Sequence, residues 1–258
     1  MENNEDNKYG CGCEDVEYVD EQPPENGCCG ETVDEKEEPT KSSGDGCGCG
    51  GEFPDESLVD NPDKPELIAD PDFFEEFEEF AHSMGIVSIG YTQVVPELIN
   101  SEEPLMYPNA IVLTLEMGKD IIKARPGPEA QELNDATYAK LGHITYALSD
   151  YLRGKGFATQ VAHPYGSLVS LSPLGQKAGL GWIGQNGLLI TPELGPRLKI
   201  SAIFTSIENL PVKEGEDHSW ISDYCERCSK CRIACPENAM IEIIQPDGKK
   251  EIEFKSEL

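Results

Sequence analysis

The sequence predicts a mixed α/β (α+β) sandwich, with a disordered acidic leader before it and a small cysteine-bearing module after it. Three observations carry this expectation. Apolar residues recur at helical spacing over 71–84 and 129–155, and short apolar runs of strand character lie between and after them. The first sixty residues hold 19 acidic residues against 3 lysines, with almost no apolar runs. Four of the ten cysteines crowd into eleven residues near the C-terminal end. A chain of 258 residues has room for one medium domain plus such an appendage.

The leader cannot bury enough surface to offset the entropy of ordering it. Residues 1–65 are therefore expected to be disordered, with a core over 66–220 and the module over 221–258. The leader carries three cysteine pairs, Cys11 with Cys13, Cys28 with Cys29, and Cys47 with Cys49, each flanked by glycine. Paired soft thiolates in a flexible segment bind zinc, copper(I) or an iron–sulfur unit; the alternative is a weakly constrained leader. A net charge of −29 argues against nucleic acid and against anionic membrane surfaces. No run approaches the length of a membrane span, and the N-terminus lacks a basic, apolar signal peptide. A cytoplasmic location follows as an expectation, and with it cysteines used as metal ligands or redox groups rather than structural disulfides.

Taking the elements in order, Phe73, Phe74, Phe77, Phe80 and Ala81 with intervening glutamates predict an amphipathic helix over 71–84, ended by Gly85. Ile86–Tyr91 reads as a strand, and Asn109–Met117 as a buried one. Glu129–Lys155 is the strongest helix, patterned through Leu133, Tyr138, Leu141, Ile144, Tyr146 and Leu148 and closed by Gly154 and Gly156. Phe157–Ala162 follows as a strand. Ser172–Ala178 reads as a helix with Pro173 in its first turn. Leu188–Thr191 and Leu198–Ile207 read as strands joined by the turn-like Pro192–Pro196. The last stretch, Lys249–Phe254, is strand-like.

Cys225, Cys228, Cys231 and Cys235, followed by Pro236, form C-x2-C-x2-C-x3-C-P. Thiolates at two-residue intervals wrap a tight loop around one cubane, and a helical turn then carries the next cysteine away. Zinc sites more often use two separated pairs, so the run favours a [4Fe–4S] cluster in a ferredoxin-like module. In two-cluster ferredoxins the last cysteine of such a run serves the other cluster. No second run exists here, so either Cys235 closes the single cluster or a ligand comes from elsewhere. Arg227, Lys230 and Arg232 surround the loop and suit either a raised cluster potential or the docking of an acidic electron donor.

The segment from Ser172 through AGLGWIG (Ala178–Gly184) and ITPELGPR (Ile190–Arg197), followed about thirty residues later by the cysteine run, resembles two related families. AGLGWIG is similar to the epoxyqueuosine reductases, and ITPELGPR looks more like the corrinoid-dependent reductive dehalogenases. The resemblance covers about residues 107–245. It implies a nitroreductase-like α/β core that holds cobalamin beside an iron–sulfur module, with electrons passed singly to cobalt. Two departures stand out. Where the first family places an acidic proton donor, this chain reads Tyr165-Gly166-Ser167-Leu168 with no carboxylate, which argues against epoxyqueuosine reduction itself. The second cluster motif is also missing, which breaks a two-step relay or means that the chain ends early.

Other residues carry two readings each. Gly179, Gly181 and Gly184 satisfy G-x-G-x-x-G, but that dinucleotide fingerprint must follow a strand and open a helix, whereas here it follows a helix. Such a loop suits close approach of a flat cofactor or simple packing. Trp182 suits ring stacking or core filling. Arg197 suits a carboxylate or phosphate clamp, or a surface ion pair. Tyr165 is the proton-donor candidate, or else a tyrosine capping a strand end. His82, His143 and His163 read as structural. The functional expectation is an iron–sulfur redox protein that reduces a small molecule through a corrinoid or another organic cofactor such as flavin, fed by ferredoxin or flavodoxin. The alternatives are a non-catalytic electron carrier or accessory protein and a metal-handling protein.

Overall fold

The computed structural model describes residues 55–101, 103–166, 168–212, 217–246 and 250–255. The leader's cysteine pairs, and its residues 1–54 as a whole, lie outside these described residues. Asp70 precedes Pro71, whose fixed φ suits a first helical position, and α1 runs Pro71–Ser83. It buries Phe73, Phe74, Phe77 and Ala81. Gly85, at φ +103°, ends it in a conformation that disfavours a side chain. Then follow β1 (Ile86–Gln93), β2 (Asn109–Glu116), the short α2 (Lys119–Lys123) and the long α3 (Pro128–Gly154). β3 is Thr159–Ala162, α4 Leu171–Lys177, β4 Trp182–Ile183, β5 Leu189–Ile190 and β6 Leu198–Thr205. The C-terminal part adds α5 (Trp220–Cys228), α6 (Lys230–Ile233), β7 (Met240–Ile244) and β8 (Lys250–Phe254).

The central sheet has the order β1-β2-β6-β3, and every neighbouring pair is antiparallel. Alternate residues of β2 and β6 point to opposite faces, and both faces are covered. On one side Ile111, Leu113 and Ile203 meet Phe77 of α1 and Leu141, Leu148 and Leu152 of α3. On the other, Ala110, Val112, Ala202 and Phe204 meet Leu168, Leu174 of α4, Leu180 and Leu189. Burial on both faces is why Asn109–Leu115 lacks a polar–apolar alternation.

Three differences from the expected layout have physical causes. β5 does not form a hairpin with β6; it pairs with β4, while β6 is drawn into the sheet centre between β2 and β3. Residues 188 and 191 fall outside the short β5. The boundary expected at residue 65 also lies inside a segment that the fold holds. The buried Arg153 donates to Thr159 Oγ1 at 2.7 Å and to Val59 O at 2.8 Å, and pairs with Asp55. Asn61 meets the edge strand twice, donating to Thr159 O at 2.9 Å and accepting from Thr159 N–H at 2.7 Å. Glu66 N–H donates to Gly156 O, and Asn209 holds Ala69 by two bonds. Residues 55–69 are therefore held to the core by long-range polar partners, which replace the apolar pattern that this segment lacks.

Candidate active site

Where the start of β6 meets Pro164, Gly166 and Val169, the first residues of α4, the 186–196 segment and α3, the fold leaves a cavity of about 500 Å³. Its walls are mostly aliphatic, with Met117, Ile122, Val169, Leu171, Leu188 and Ile200 among them. Against this lining stand two side chains that carry acidic protons, Tyr138 and Lys199. A cavity of this size and lining suits a small, largely apolar molecule.

The polar side is built from one stripe of α3. Gln131, Asp135, Tyr138, Gly142 and Tyr146 follow one another at three- and four-residue steps, so they share a helix face. The loop after β3 lays its rings between them. His163 packs where Gly142 leaves room, since a Cβ there would collide with His163 Nε2. The rings then run Tyr146, His163, Tyr165, Tyr138, at centroid separations of 5.9, 6.0 and 4.0 Å. Lys199 Nζ closes the series, 3.8 Å from the centroid of Tyr138.

Two hydrogen bonds fix the loop within this stack. Tyr165 N–H donates to His163 Nδ1 at 3.2 Å, so that nitrogen carries no proton. Burial pushes the His163 imidazole below its ordinary value, a nearby Glu56 opposes this, and His143 adds to it. The Tyr165 hydroxyl donates to Asp135 Oδ1. That bond, and then the one from Gln131 Nε2 at 2.8 Å, hold the Asp135 carboxyl below the usual carboxylate range.

Tyr165, the proton donor expected from sequence, thus stands behind Tyr138 rather than on the cavity wall, although its neighbours Pro164 and Gly166 line it. Tyr138, Asp135 and Lys199 escaped the sequence reading. The helical stripe through 131, 135 and 138 was the available signal for the first two. Lys199 is the one charged residue of β6, and that was its only mark.

Gly179, Gly181, Trp182, Gly184 and Arg197 do not line this cavity. Gly179 follows α4 at φ +75°, and its carbonyl accepts from the buried His218 at 3.1 Å. A Cβ on Gly181 would run into Ile190 O, and one on Gly184 into the Ile190 side chain. Gly181 and Gly184 thus serve packing against β5 and offer no open cradle. Trp182 is half-buried in β4, against which α5 packs. Arg197 Nη1 donates to Glu116 and to Met117 O, tying β6 to the end of β2 as an ion pair.

The four cysteines of the run lie in one continuous segment. Cys225 and Cys228 are on α5, Ser229 breaks the helix at φ +49°, Cys231 is on α6, and Cys235 follows. All four are half-buried and outside any disulfide. Ala239 N–H donates to Cys235 Sγ at 3.4 Å. Among the described residues, no three His, Cys, Asp or Glu side chains are gathered into a metal-holding group. The donor set is nonetheless four soft thiolates. Within the run Arg232, paired with Glu242 at 3.0 Å, keeps a buried Nε–H that finds no acceptor among the described residues. An anionic thiolate-ligated cluster fits both features. Among the described residues no helix is long and apolar enough to cross a membrane.

No protein-family model matches the chain. Over 145 residues, 54% of this chain, it is 32% identical to the tetrachloroethene reductive dehalogenase of Dehalobacter restrictus, covering 25% of that protein. Over 79 residues, 31% of the chain, it is 38% identical to the epoxyqueuosine reductase of Bacillus cereus, covering 19% of it. The chain thus spans about a quarter or less of the length of these curated relatives. Among solved structures, a catabolic reductive dehalogenase in complex with 3-bromo-4-hydroxybenzoic acid superposes with a TM-score of 0.63 at 20% identity. The superposition covers 77% of this chain and 30% of the other. In sequence the chain is a relative of both the reductive dehalogenases and the epoxyqueuosine reductases, and it shares the mixed α/β fold of the former.

Proposed function

We propose that this chain acts in the reduction of a small, largely apolar molecule held in the cavity, with Tyr138 and Lys199 supplying the proton. The observation that supports it best is the pairing of these two proton donors on the wall of an aliphatic cavity. The reductase relatives point the same way. Cleaving a carbon–heteroatom bond reductively consumes two electrons and one proton, and the heteroatom leaves as its anion. The proton is this chain's to give. Tyr138 lines the cavity and carries a phenol O–H, and the ammonium over its ring offsets the negative charge left when that proton departs. The aliphatic walls lower the local polarity around the two donors, which strengthens this electrostatic contribution.

Cys225, Cys228, Cys231 and Cys235 would hold a [4Fe–4S] cluster, which when bound supplies electrons one at a time. A small electron carrier such as ferredoxin or flavodoxin is the corresponding donor. Gly181 and Gly184 are backed by Ile190 of β5, which leaves no cradle for a flat cofactor at that loop. The reading therefore takes no step through cobalt.

The test is anaerobic purification with iron, sulfide, zinc and cobalt quantitation, then assay with a reduced low-potential dye. Tetrachloroethene and 3-bromo-4-hydroxybenzoic acid, compounds named with the relatives, serve as probes. About four irons per chain, lost in Cys231→Ser, are expected. Tyr138→Phe and Lys199→Gln should each lower kcat about a hundredfold or more with the fold intact. Zinc in place of iron, or full turnover in both variants, would overturn the proposal.

A further inference from the structure

We propose that Asp135 is a positioning residue of this site: acting through Tyr165, it fixes Tyr138 against Lys199 and so aims both proton donors into the cavity. The inference rests on the reading of Tyr138 and Lys199 as the site's acids.

The geometry runs from the helix outward. Asp135 Oδ1 takes the Tyr165 hydroxyl on one side and Gln131 Nε2–H on the other, one turn back along α3. Tyr165 is thereby held at both ends, by the carboxylate at its hydroxyl and by His163 Nδ1 at its backbone N–H. Its ring lies against Tyr138 with an interplanar angle of 22°. The opposite face of Tyr138 receives the Lys199 ammonium. The order is carboxylate, phenol, phenol, ammonium, with the two charges at the two ends.

Relative strengths decide which member governs. Two half-exposed rings in contact constrain each other only weakly, and lysine reaches the ring on a flexible four-carbon stem. The hydrogen bond to an ionised carboxylate is the strongest single contact in the series and the one with a defined direction. Among the described residues Lys199 forms no ion pair. The negative charge of Asp135 nonetheless acts on it through space, since the two are coupled electrostatically. A carboxylate behind the stack attracts the ammonium to the ring without occupying it, which leaves its protons for a ligand in the cavity. A carboxylate in direct contact would have consumed them.

The test uses the full chain and NMR of its lysine side-chain methylenes, with Lys199 assigned by Lys199→Arg. Ring current from Tyr138 should place the Lys199 ε-methylene upfield of the other lysines. Asp135→Asn and Tyr165→Phe should each return it toward them, although Tyr138 is untouched in both; Asp135→Glu should keep part of the shift. In the dye-linked assay Asp135→Asn should lower kcat about tenfold while KM changes less than about twofold, as expected for lost orientation rather than lost binding. If Asp135→Asn does not fold, Gln131→Leu removes the second donor to Asp135 and should move the resonance the same way by less. An unmoved Lys199 resonance and unchanged kcat in the foldable variants would overturn the inference. The two readings fail separately. Full turnover in Tyr138→Phe and Lys199→Gln would remove the site itself. Lost turnover there, with Asp135→Asn silent in both readouts, would remove only the role of Asp135.

Discussion

Gly142 occupies the middle of α3, where glycine ordinarily weakens a helix by about 1 kcal/mol relative to alanine. Here the sign reverses, because a Cβ would strike the His163 ring that bridges Tyr146 and Tyr165. Gly142→Ala should therefore destabilise by about 2 kcal/mol instead of stabilising, as urea unfolding would show. His163 adds a pH dependence. Its folded value lies below the ordinary one of about 6.5, so the unfolded chain takes up the proton first as pH falls. The stability that the neutral ring contributes is complete above about pH 6.5 and is lost as pH falls through the folded value. Unfolding midpoints measured from about pH 7.5 down to 5 should decline more steeply for the wild type than for His163→Gln. Parallel curves would mean that the ring is not held neutral.

At the scale of elements, α1 and α3 were legible because burial on one side imposes a 3.6-residue pattern, and the observed ends lie within a residue or so of the expected ones. β2 was legible as an apolar run, and β6 as a strand following the turn-like Pro192–Pro196. The pairing of β4 with β5 was not, since two-residue strands leave no period to read. Nor was the 55–69 segment, whose anchors lie about a hundred residues away in sequence. The same limit hid much of the site. The four-cysteine run could be read because its members are neighbours in sequence, whereas Tyr138 and Lys199 meet only when β6 settles beside α3. Arg153 makes the segment testable. Arg153→Met strands several polar partners of a buried guanidinium, and should lower stability by about 2–4 kcal/mol. Hydrogen exchange should then accelerate over residues 55–61; unchanged exchange there would show that the anchor is dispensable.

Over the whole molecule, 49 acidic residues face 20 basic ones. At low ionic strength such a surplus repels itself in the folded state, and salt screens it over about 10 Å at 0.1 M. The thermal midpoint should accordingly climb by several degrees between about 0.01 and 0.5 M sodium chloride, as scanning calorimetry would record. A flat response would indicate that the surplus sits where it is already dispersed. Charge alone does not keep copies apart, however, because a sheet whose outermost strand is short and unguarded can be extended by another chain. The side chain of Asn61 stands in for a neighbouring strand, answering both backbone groups of Thr159. It acts as a stopper on the fourth strand: what the two bonds secure is solubility as much as attachment. Asn61→Ala should leave a template for strand addition, seen in light scattering as assembly that grows with concentration.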